Sequence, residues 1–403
     1  MVGTDGFSLV AVYGRVGWNP CVTMQPEKNP VPSVSGALPE WVPGDARDDP
    51  RYASRVMAGV DSGVRGGGRP AARRRLGLDE YEKGVMAGDM TVLSRAITLV
   101  ESNRADHEQL AQQLLARVMP YAGNSVRVGI SGVPGAGKST LIEALGCLLA
   151  EWGHKVAVVA VDPSSSVSGG SILGDKTRMM KLARHPRAFI RPSPSAGSLG
   201  GVARKSRETI LLCEAAGYDV ILGETVGTGQ NEITVRSMVD CFLLLLLAGA
   251  GDDLQGMKKG IMEIADILVV NKADGENVRR AQLACAETNR SLHFLKPSTP
   301  GWRSRCLTCS ALDPGTLEEV WGSVDEFTRL ARGSGVWEDR RRRQSVAWMR
   351  ALISEEMEHR FARHAGVREL GQRLESEVAS QTLPAATAAR RMVDCFFEGD
   401  CAP

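Results

Sequence analysis

Between Ser125 and about Leu330, short apolar and β-branched runs alternate with stretches whose apolar positions recur every three to four residues. Strands buried on both faces of a parallel sheet read as continuous apolar runs, and the helices that cover those faces supply the longer period. The pattern predicts strands at Val126–Ile130, Val156–Val161, Asp219–Leu222, Phe242–Leu247, Ile267–Val270 and Cys306–Ser310. The longest apolar run, Cys241 to Ala248, falls far short of the roughly 20 residues needed to cross a bilayer, so it reads as a buried strand. Upstream, Leu93, Ile97 and Val100, then Leu110, Leu114 and Val118, keep helical spacing and predict two amphipathic helices. Beyond Trp337 the strands stop. Val346, Met349, Ile353 and Met357, then Val367, Leu370, Leu374 and Val378, predict a helical hairpin or arm. Residues 1 to about 78 are rich in Gly, Pro and Arg without any apolar period, the pattern of a disordered tail. The expected organisation is therefore a tail (1–78), a helical segment (79–122), an α/β domain (123–333) and a C-terminal helical arm (334–403).

Charge changes this picture little. Forty-nine Lys+Arg against 47 Asp+Glu leave a formal +2, so no overall field favours nucleic acid or an anionic membrane, and specificity must lie in local sites. Nine cysteines, scattered through apolar segments, fit a reducing compartment in which disulfides are not expected. The N-terminus lacks a basic patch followed by a sustained apolar core, and Glu27, Glu40, Asp45, Asp48 and Asp49 argue against a mitochondrial leader.

The chemistry begins at Gly132-Val133-Pro134-Gly135-Ala136-Gly137-Lys138-Ser139, which has the G-x-x-x-x-G-K-[ST] pattern and sits between a predicted strand and the helix opened by Thr140. Glycines let backbone N–H groups turn inward around phosphate oxygens, and the helix N-terminus adds positive potential. Lys138 is then placed for the β/γ-phosphates and Ser139 for Mg²⁺. Asn271-Lys272-Ala273-Asp274 follows another strand, at the carboxyl edge where open α/β sheets bind ligands. A carboxylate such as Asp274 accepts from the guanine N1–H and 2-amino group, which adenine does not offer. Ser310-Ala311-Leu312 follows the last strand and fits a small-residue turn closing over the base.

Glu224-Thr225-Val226-Gly227-Thr228-Gly229-Gln230 takes the place of the D-x-x-G turn that senses metal and γ-phosphate, with Glu for Asp. Glu224 is placed to hold Mg²⁺ through a water. Asp162, at the end of a strand, and Asp175, in Gly174-Asp175-Lys176-Thr177-Arg178, could position Mg²⁺ or the attacking water; for each, a capping or turn role stays open. The spacing Cys306-Leu307-Thr308-Cys309 suits a buried thiol on a strand better than a metal or redox site. Arg340–Arg343 reads as a solvated face or a dimer contact.

From about residue 79 to 398 the chain resembles the MeaB/ArgK/MMAA family of SIMIBI P-loop GTPases. The resemblance is carried by Ala96–Ser102, Gly132–Thr140, Val161–Ser165, Gly170–Met179, Glu224–Gln230, Gly249–Asp266, Asn271–Asp274 and Thr308–Leu312. It implies an α/β P-loop NTPase fold with a mostly parallel central sheet flanked by helices, plus N- and C-terminal helical extensions. It also implies GTP hydrolysis with Mg²⁺, coupled to delivery and protection of adenosylcobalamin carried by a partner mutase, chiefly methylmalonyl-CoA mutase, and a homodimer built with the terminal helices. The catalytic set it suggests is Lys138, Asp162, Asp175 and Glu224, with Ser139, Asp162 and Glu224 on the metal. Gly251–Gly260 matches a further switch loop in the family, making Asp252, Gln255 and Lys258 candidates for relaying nucleotide state to the partner. Cytoplasmic location in a bacterium, or the mitochondrial matrix in a eukaryote, follows from the same likeness, with no nucleic acid or membrane as partner. The alternatives are a kinase of a periplasmic arginine/ornithine transport protein and a nickel-insertion GTPase. Two departures stand out: the long N-terminal tail, and Gly223 at a strand position where the family carries an apolar residue, which is expected to loosen the strand before Glu224.

Overall fold

The chain divides into two units at Arg73–Arg74. The computed structural model describes residues 74–161, 179–192, 199–225, 232–249 and 259–398, all in the second unit, so the expected tail lies outside the described residues apart from its last few positions. In chain order the elements are α1 (Leu78–Met86), α2 (Met90–Val100), α3 (Ala105–Val118), β1 (Val126–Gly132), α4 (Lys138–Glu151), β2 (Val156–Val161), α5 (Met180–Ala183), β3 (Ala188–Arg191), α6 (Leu199–Ala215) and β4 (Val220–Thr225). There follow α7 (Glu232–Arg236), β5 (Cys241–Leu247), α8 (Lys259–Ile264), β6 (Ile267–Asn271), α9 (Val278–Leu292), β7 (Arg305–Thr308), α10 (Pro314–Gly333), α11 (Val336–Arg363), α12 (Ala365–Ala379) and α13 (Ala385–Glu398).

Seven strands form one sheet in the order β3-β2-β4-β1-β5-β6-β7, and every neighbouring pair is parallel. Alternate residues face two cores. In β5, Phe242, Leu244 and Leu246 join the core beneath α2, α3, α6 and α9, while Leu243 and Leu245 join the one beneath α4 and α10. That two-sided burial is why its sequence is an unbroken apolar run. From β1 the chain builds β2 to β4 on one side and then crosses to β5 on the other. The carboxyl end of β1 is therefore a topological switch point, where such sheets bind ligands. Among the described residues no helix is long and apolar enough to cross a membrane.

The structure departs from the sequence reading in several places. Three helices, not two, precede β1: α1 buries only Tyr81 and Val85, too short a stripe to show as a period. Strand β3 is absent from the predicted set, since Ala-Phe-Ile-Arg is four residues at the sheet edge and ends in a charge. The disulfide expectation fails at one position: among the described residues Cys395, buried on α13 in the small core shared with α12, is disulfide-bonded, while the other described cysteines are free.

Gly223 does not loosen β4, which continues to Thr225 and pairs on both sides, with Gly129 of β1 and Val159 of β2. The constraint falls on its neighbour. A Cβ on Gly129 would stand 2.8 Å from Val235 Cγ1 and 3.0 Å from Val239 Cγ2, whereas one on Gly223 would meet nothing closer than 3.8 Å. Gly129→Ala is expected to destabilise by on the order of 1–3 kcal/mol through overpacking. Gly223→Ala is expected to stabilise by about 0.4–1 kcal/mol by restricting the unfolded chain. Urea denaturation of the two variants checks both signs.

The arginine run at the start of α11 is not a solvated face throughout. Arg342 and Arg343 are exposed, but Arg340 and Arg341 turn inward. Arg341 forks onto the buried carboxylate of Asp240, with Nε 2.8 Å from Oδ1 and Nη2 2.6 Å from Oδ2. Arg340 donates to the Asp240 carbonyl and to Thr299, 3.7 Å from the Asp266 carboxylate. Gln344 donates to the Val239 carbonyl at 2.8 Å, and Arg207 of α6 binds Ser237 Oγ at 2.6 Å while lying 5.5 Å over the Trp348 ring. The root of the arm is thereby clasped to the segment between α7 and β5. Helices α12 and α13 close a small core of their own around Val367, Leu370, Leu374 and Ala388.

Candidate nucleotide site

Strand β1 ends at Gly132, and the next turn is shaped by three glycines with positive φ, at 152° for Gly132, 80° for Gly135 and 87° for Gly137. Two of them have no room for a side chain: a Cβ on Gly132 would stand 2.6 Å from the Leu245 carbonyl oxygen, and one on Gly137 would stand 2.7 Å from Asn271 Nδ2. The loop then opens α4 at Lys138, two residues before the predicted start. Val133, Pro134, Gly135 and Ala136 form the turn, closed by Ala136 N–H donating to the Val133 carbonyl at 3.1 Å, and Thr140 follows Ser139 in the first helical turn.

Lys138 is only 8% exposed and donates to the Gly132 carbonyl at 2.8 Å and the Val133 carbonyl at 3.2 Å. Burial holds its ammonium below the usual lysine range, with the Glu224 and Glu232 carboxylates pulling it back up. Ser139 Oγ donates to Glu224 Oε1 at 2.6 Å, so two of the three expected metal ligands lie together across the β1–β4 junction. A hydroxyl and a carboxylate are hard oxygen donors, and one or two of these with phosphate and water complete the usual Mg²⁺ shell. Beneath them Thr225 Oγ1 bonds Ser131 Oγ at 2.9 Å, fixing the two strand ends together. The third expected ligand, Asp162, lies outside the described residues, as do Asp175, Gly227, Asp252, Gln255 and Lys258.

At the other end of the pocket Asn271 is 2% exposed and donates from Nδ2 to the Ala136 carbonyl at 2.7 Å, tying β6 to the phosphate loop. Its Oδ1 is buried without a partner among the described residues, an acceptor of the kind that a ligand or water satisfies. Lys272 adopts φ 58°, unusual for a residue with a side chain, and its carbonyl accepts from Asn277 Nδ2 at 2.7 Å. Its stem runs beside the loop, with Cε 3.7 Å from where a Cβ on Gly137 would stand. Asp274 receives the Ser310 hydroxyl on Oδ2 at 2.6 Å, and Ser310 Oγ accepts from Leu312 N–H at 3.1 Å. Ser310 is 1% exposed, whereas Leu312, one residue past Ala311, is 81% exposed at the lip of the turn.

The residue passed over in the sequence is Thr316, whose Oγ1 accepts the Ser310 N–H at 3.1 Å. The available signal was its place three residues after Asp313, the N-cap of α10, where side chains reach back to the cap. Cys306 and Cys309 fall on opposite faces of the sheet: the first lies against Cys285 and Asn289 of α9, the second against Thr316. Among the described residues no three His, Cys, Asp or Glu gather into a metal-binding group.

The shape of this glycine loop and the placing of Asp274 beside Ser310 leave open which P-loop protein this is. Residues 93–365 match the family described as "Methylmalonyl Co-A mutase-associated GTPase MeaB". The chain is 52% identical over 317 residues to a protein of Mycobacterium tuberculosis (strain ATCC 25618 / H37Rv) named as a probable GTPase, covering 79% of this chain and 94% of that one. It is 49% identical over 316 residues to GTPase ArgK of Escherichia coli (strain K12), covering 78% and 95%. To the mitochondrial methylmalonic aciduria type A homolog of Mus musculus it is 43% identical over 329 residues, covering 79% of each. The crystal structure of a protein named LAO/AO transport system kinase superimposes with a TM-score of 0.65 at 40% identity, over 80% of this chain and 99% of the other. The fold is that of the P-loop GTPases, and the reaction is hydrolysis of GTP. The segment matched runs from α2, through the phosphate loop and the Asp274 turn, to the start of α12, and on that span the chain belongs to the MeaB family of GTPases.

Proposed function

We propose that this GTPase is a chaperone of an adenosylcobalamin-dependent acyl-CoA mutase, with methylmalonyl-CoA mutase as its partner, and that GTP binding and hydrolysis time the delivery and protection of the cofactor carried by that mutase. The observation that carries this reading is the family description, which names that mutase, joined by a mouse relative named for methylmalonic aciduria. In the proposed site Gly132 to Thr140 wrap the phosphates, Lys138 neutralises the β/γ oxygens, and Asn271, Lys272, Asp274, Ser310, Ala311 and Leu312 hold the guanine. Ser139, Glu224 and Asp162 hold Mg²⁺, which supplies positive charge to the oxygens on which negative charge builds. Either Asp162 or Asp175 places the attacking water.

The proposed assembly is a homodimer formed through the terminal helices. It is supported by a groove of about 1700 Å³ between α3, α6 and α11, along which α11 leaves Met349 53% and Ile353 55% exposed. The proposed location is the bacterial cytoplasm, or the mitochondrial matrix for a eukaryotic chain. The name borne by the superimposable transport system kinase favours a second reading, a kinase that hands the γ-phosphoryl group to a transport protein. Transfer of labelled phosphate to an arginine/ornithine-binding protein would support that reading over the first.

The test of the chaperone reading uses the loop proposed to face the partner. Lys258→Ala and Gln255→Ala should leave GTP affinity and intrinsic hydrolysis within about two-fold, since neither residue is assigned to the nucleotide, while removing the stimulation of hydrolysis by methylmalonyl-CoA mutase. Turnover of GTP with and without the mutase, alongside transfer of adenosylcobalamin, is the measurement. Unmutated protein whose turnover ignores the mutase would refute the reading.

A further inference from the structure

We propose that Thr316 is a positioning residue for base recognition: it holds Ser310 against Asp274 and so sets how strongly the site prefers guanine to a purine without the 2-amino group. The inference deepens the reading of Asp274 as the carboxylate that meets the base, and rests on it.

Hydrogen-bond capacity dictates the arrangement. A serine hydroxyl has one proton to give. Ser310 Oγ already accepts from Leu312 N–H at 3.1 Å, so its proton is committed to Asp274 Oδ2 at 2.6 Å. One oxygen of the carboxylate is thereby pinned, which restrains how far the other can swing. What fixes Ser310 in turn is its backbone. On one side the ladder of β6 and β7 runs on through Cys309 N–H to the Val270 carbonyl and Ala273 N–H to the Cys309 carbonyl, both at 2.9 Å. On the other side stands Thr316, whose hydroxyl oxygen accepts the Ser310 N–H at 3.1 Å and lies 3.7 Å from Cys309 Sγ. Its own proton is shared between the carbonyls of Asp313, at 2.9 Å, and Ser310, at 3.1 Å. One hydroxyl therefore joins the start of α10 to both the N–H and the carbonyl of the residue that holds the carboxylate.

Guanine offers Asp274 two donors, N1–H and the 2-amino group; hypoxanthine offers only N1–H. A carboxylate held in one plane meets both donors at once, and a carboxylate that swings keeps one and weakens the other. Loosening Ser310 therefore costs GDP more than IDP. A role confined to capping α10 lowers stability and leaves that ratio alone.

The test is titration of the full chain with GDP, IDP and ADP, in the unmutated protein and in Thr316→Val, Thr316→Ser, Ser310→Ala and the Ser310→Ala/Thr316→Val double variant, with thermal melting of each. Valine keeps the shape of threonine and removes the hydroxyl. The expected result is a GDP-over-IDP preference about five-fold smaller in Thr316→Val, the size of one lost hydrogen bond. Thr316→Ser should retain the unmutated ratio, Ser310→Ala should reproduce the narrowed one, and the double variant should narrow it no further, because the two act through one contact. An unchanged ratio in Thr316→Val beside a normal GDP-over-ADP preference overturns the role of Thr316 alone. An unchanged ratio in Ser310→Ala breaks the link at Asp274. Equal GDP and ADP affinity in the unmutated protein overturns the underlying reading of Asp274, and this inference with it.

Discussion

Asp274→Asn is expected to exchange the base that the protein binds. A site built to hydrogen-bond a substrate group rejects a ligand that cannot make those bonds by roughly 10⁴ or more, because the polar group that the ligand covers is left unpaired. The structure adds a reason to expect a clean exchange and not a collapsed turn. Ser310 donates to Asp274 Oδ2 at 2.6 Å, and an asparagine carbonyl can accept the same proton in the same place. The Ser310 contact therefore orients the new amide, with its oxygen toward the serine and its NH₂ toward the base. That NH₂ meets the guanine 2-amino group as donor against donor, but it can donate to the 2-oxo group of xanthine. GTP affinity should fall by on the order of 10³ or more, and xanthosine triphosphate should become the preferred ligand. Competition binding with GTP, XTP and ATP reads all three affinities. Equal GTP and ATP affinity in the unmutated protein would sink the assignment of Asp274.

Lys138→Ala is expected to lower hydrolysis by roughly two to three orders of magnitude, the usual cost of removing one preorganised charge from a phosphoryl-transfer site. Its ammonium is already desolvated and bound to the carbonyls of Gly132 and Val133, so in the proposed site it would meet the phosphates without first being stripped of water. The alanine variant also leaves those carbonyls without their donor, and some loss of loop order should accompany the loss of rate. Lys138→Arg separates the two effects. It restores positive charge on a bulkier, planar head and should recover stability more than rate, because a guanidinium does not reproduce the compact point charge of an ammonium. Single-turnover hydrolysis at saturating GTP and Mg²⁺, with melting curves for each variant, is the measurement. Hydrolysis at the unmutated rate in Lys138→Ala would mean that the activity resides elsewhere.

The central sheet was legible because burial on both faces leaves no polar alternation: Cys241–Leu247 and Val156–Val161 can be read as strands from their letters. The phosphate loop was legible for a different reason, since Gly132 and Gly137 sit where any side chain would strike Leu245 or Asn271. Ala188–Arg191 was not, because a four-residue edge strand carries too few positions to show a period. Tertiary pairing hid the rest. Nothing local distinguishes Arg341, which forks onto the Asp240 carboxylate, and Arg340, which donates to the carbonyl of that same residue about 100 positions upstream, from Arg342 and Arg343, which meet solvent. At Thr316 the letters show a place three residues after an N-cap but not the contact with Ser310, because that contact is to backbone groups and a backbone group leaves no letter in the sequence.

The clasp at the root of α11 has a mechanical consequence. Trp348 is the outermost of the points described that hold this helix to the sheet, and 15 residues remain from there to Arg363. At 1.5 Å per residue that is a lever of about 22 Å, so a tilt of roughly 5° at the root displaces the far end by about 2 Å. Packed side chains absorb a few tenths of an ångström before they must change partners. The segment that Arg341 and Gln344 grip, Val239 and Asp240, follows α7 directly. A shift there too small to disturb the sheet is thus multiplied along α11 into one large enough to change which side chains interlock at its tip.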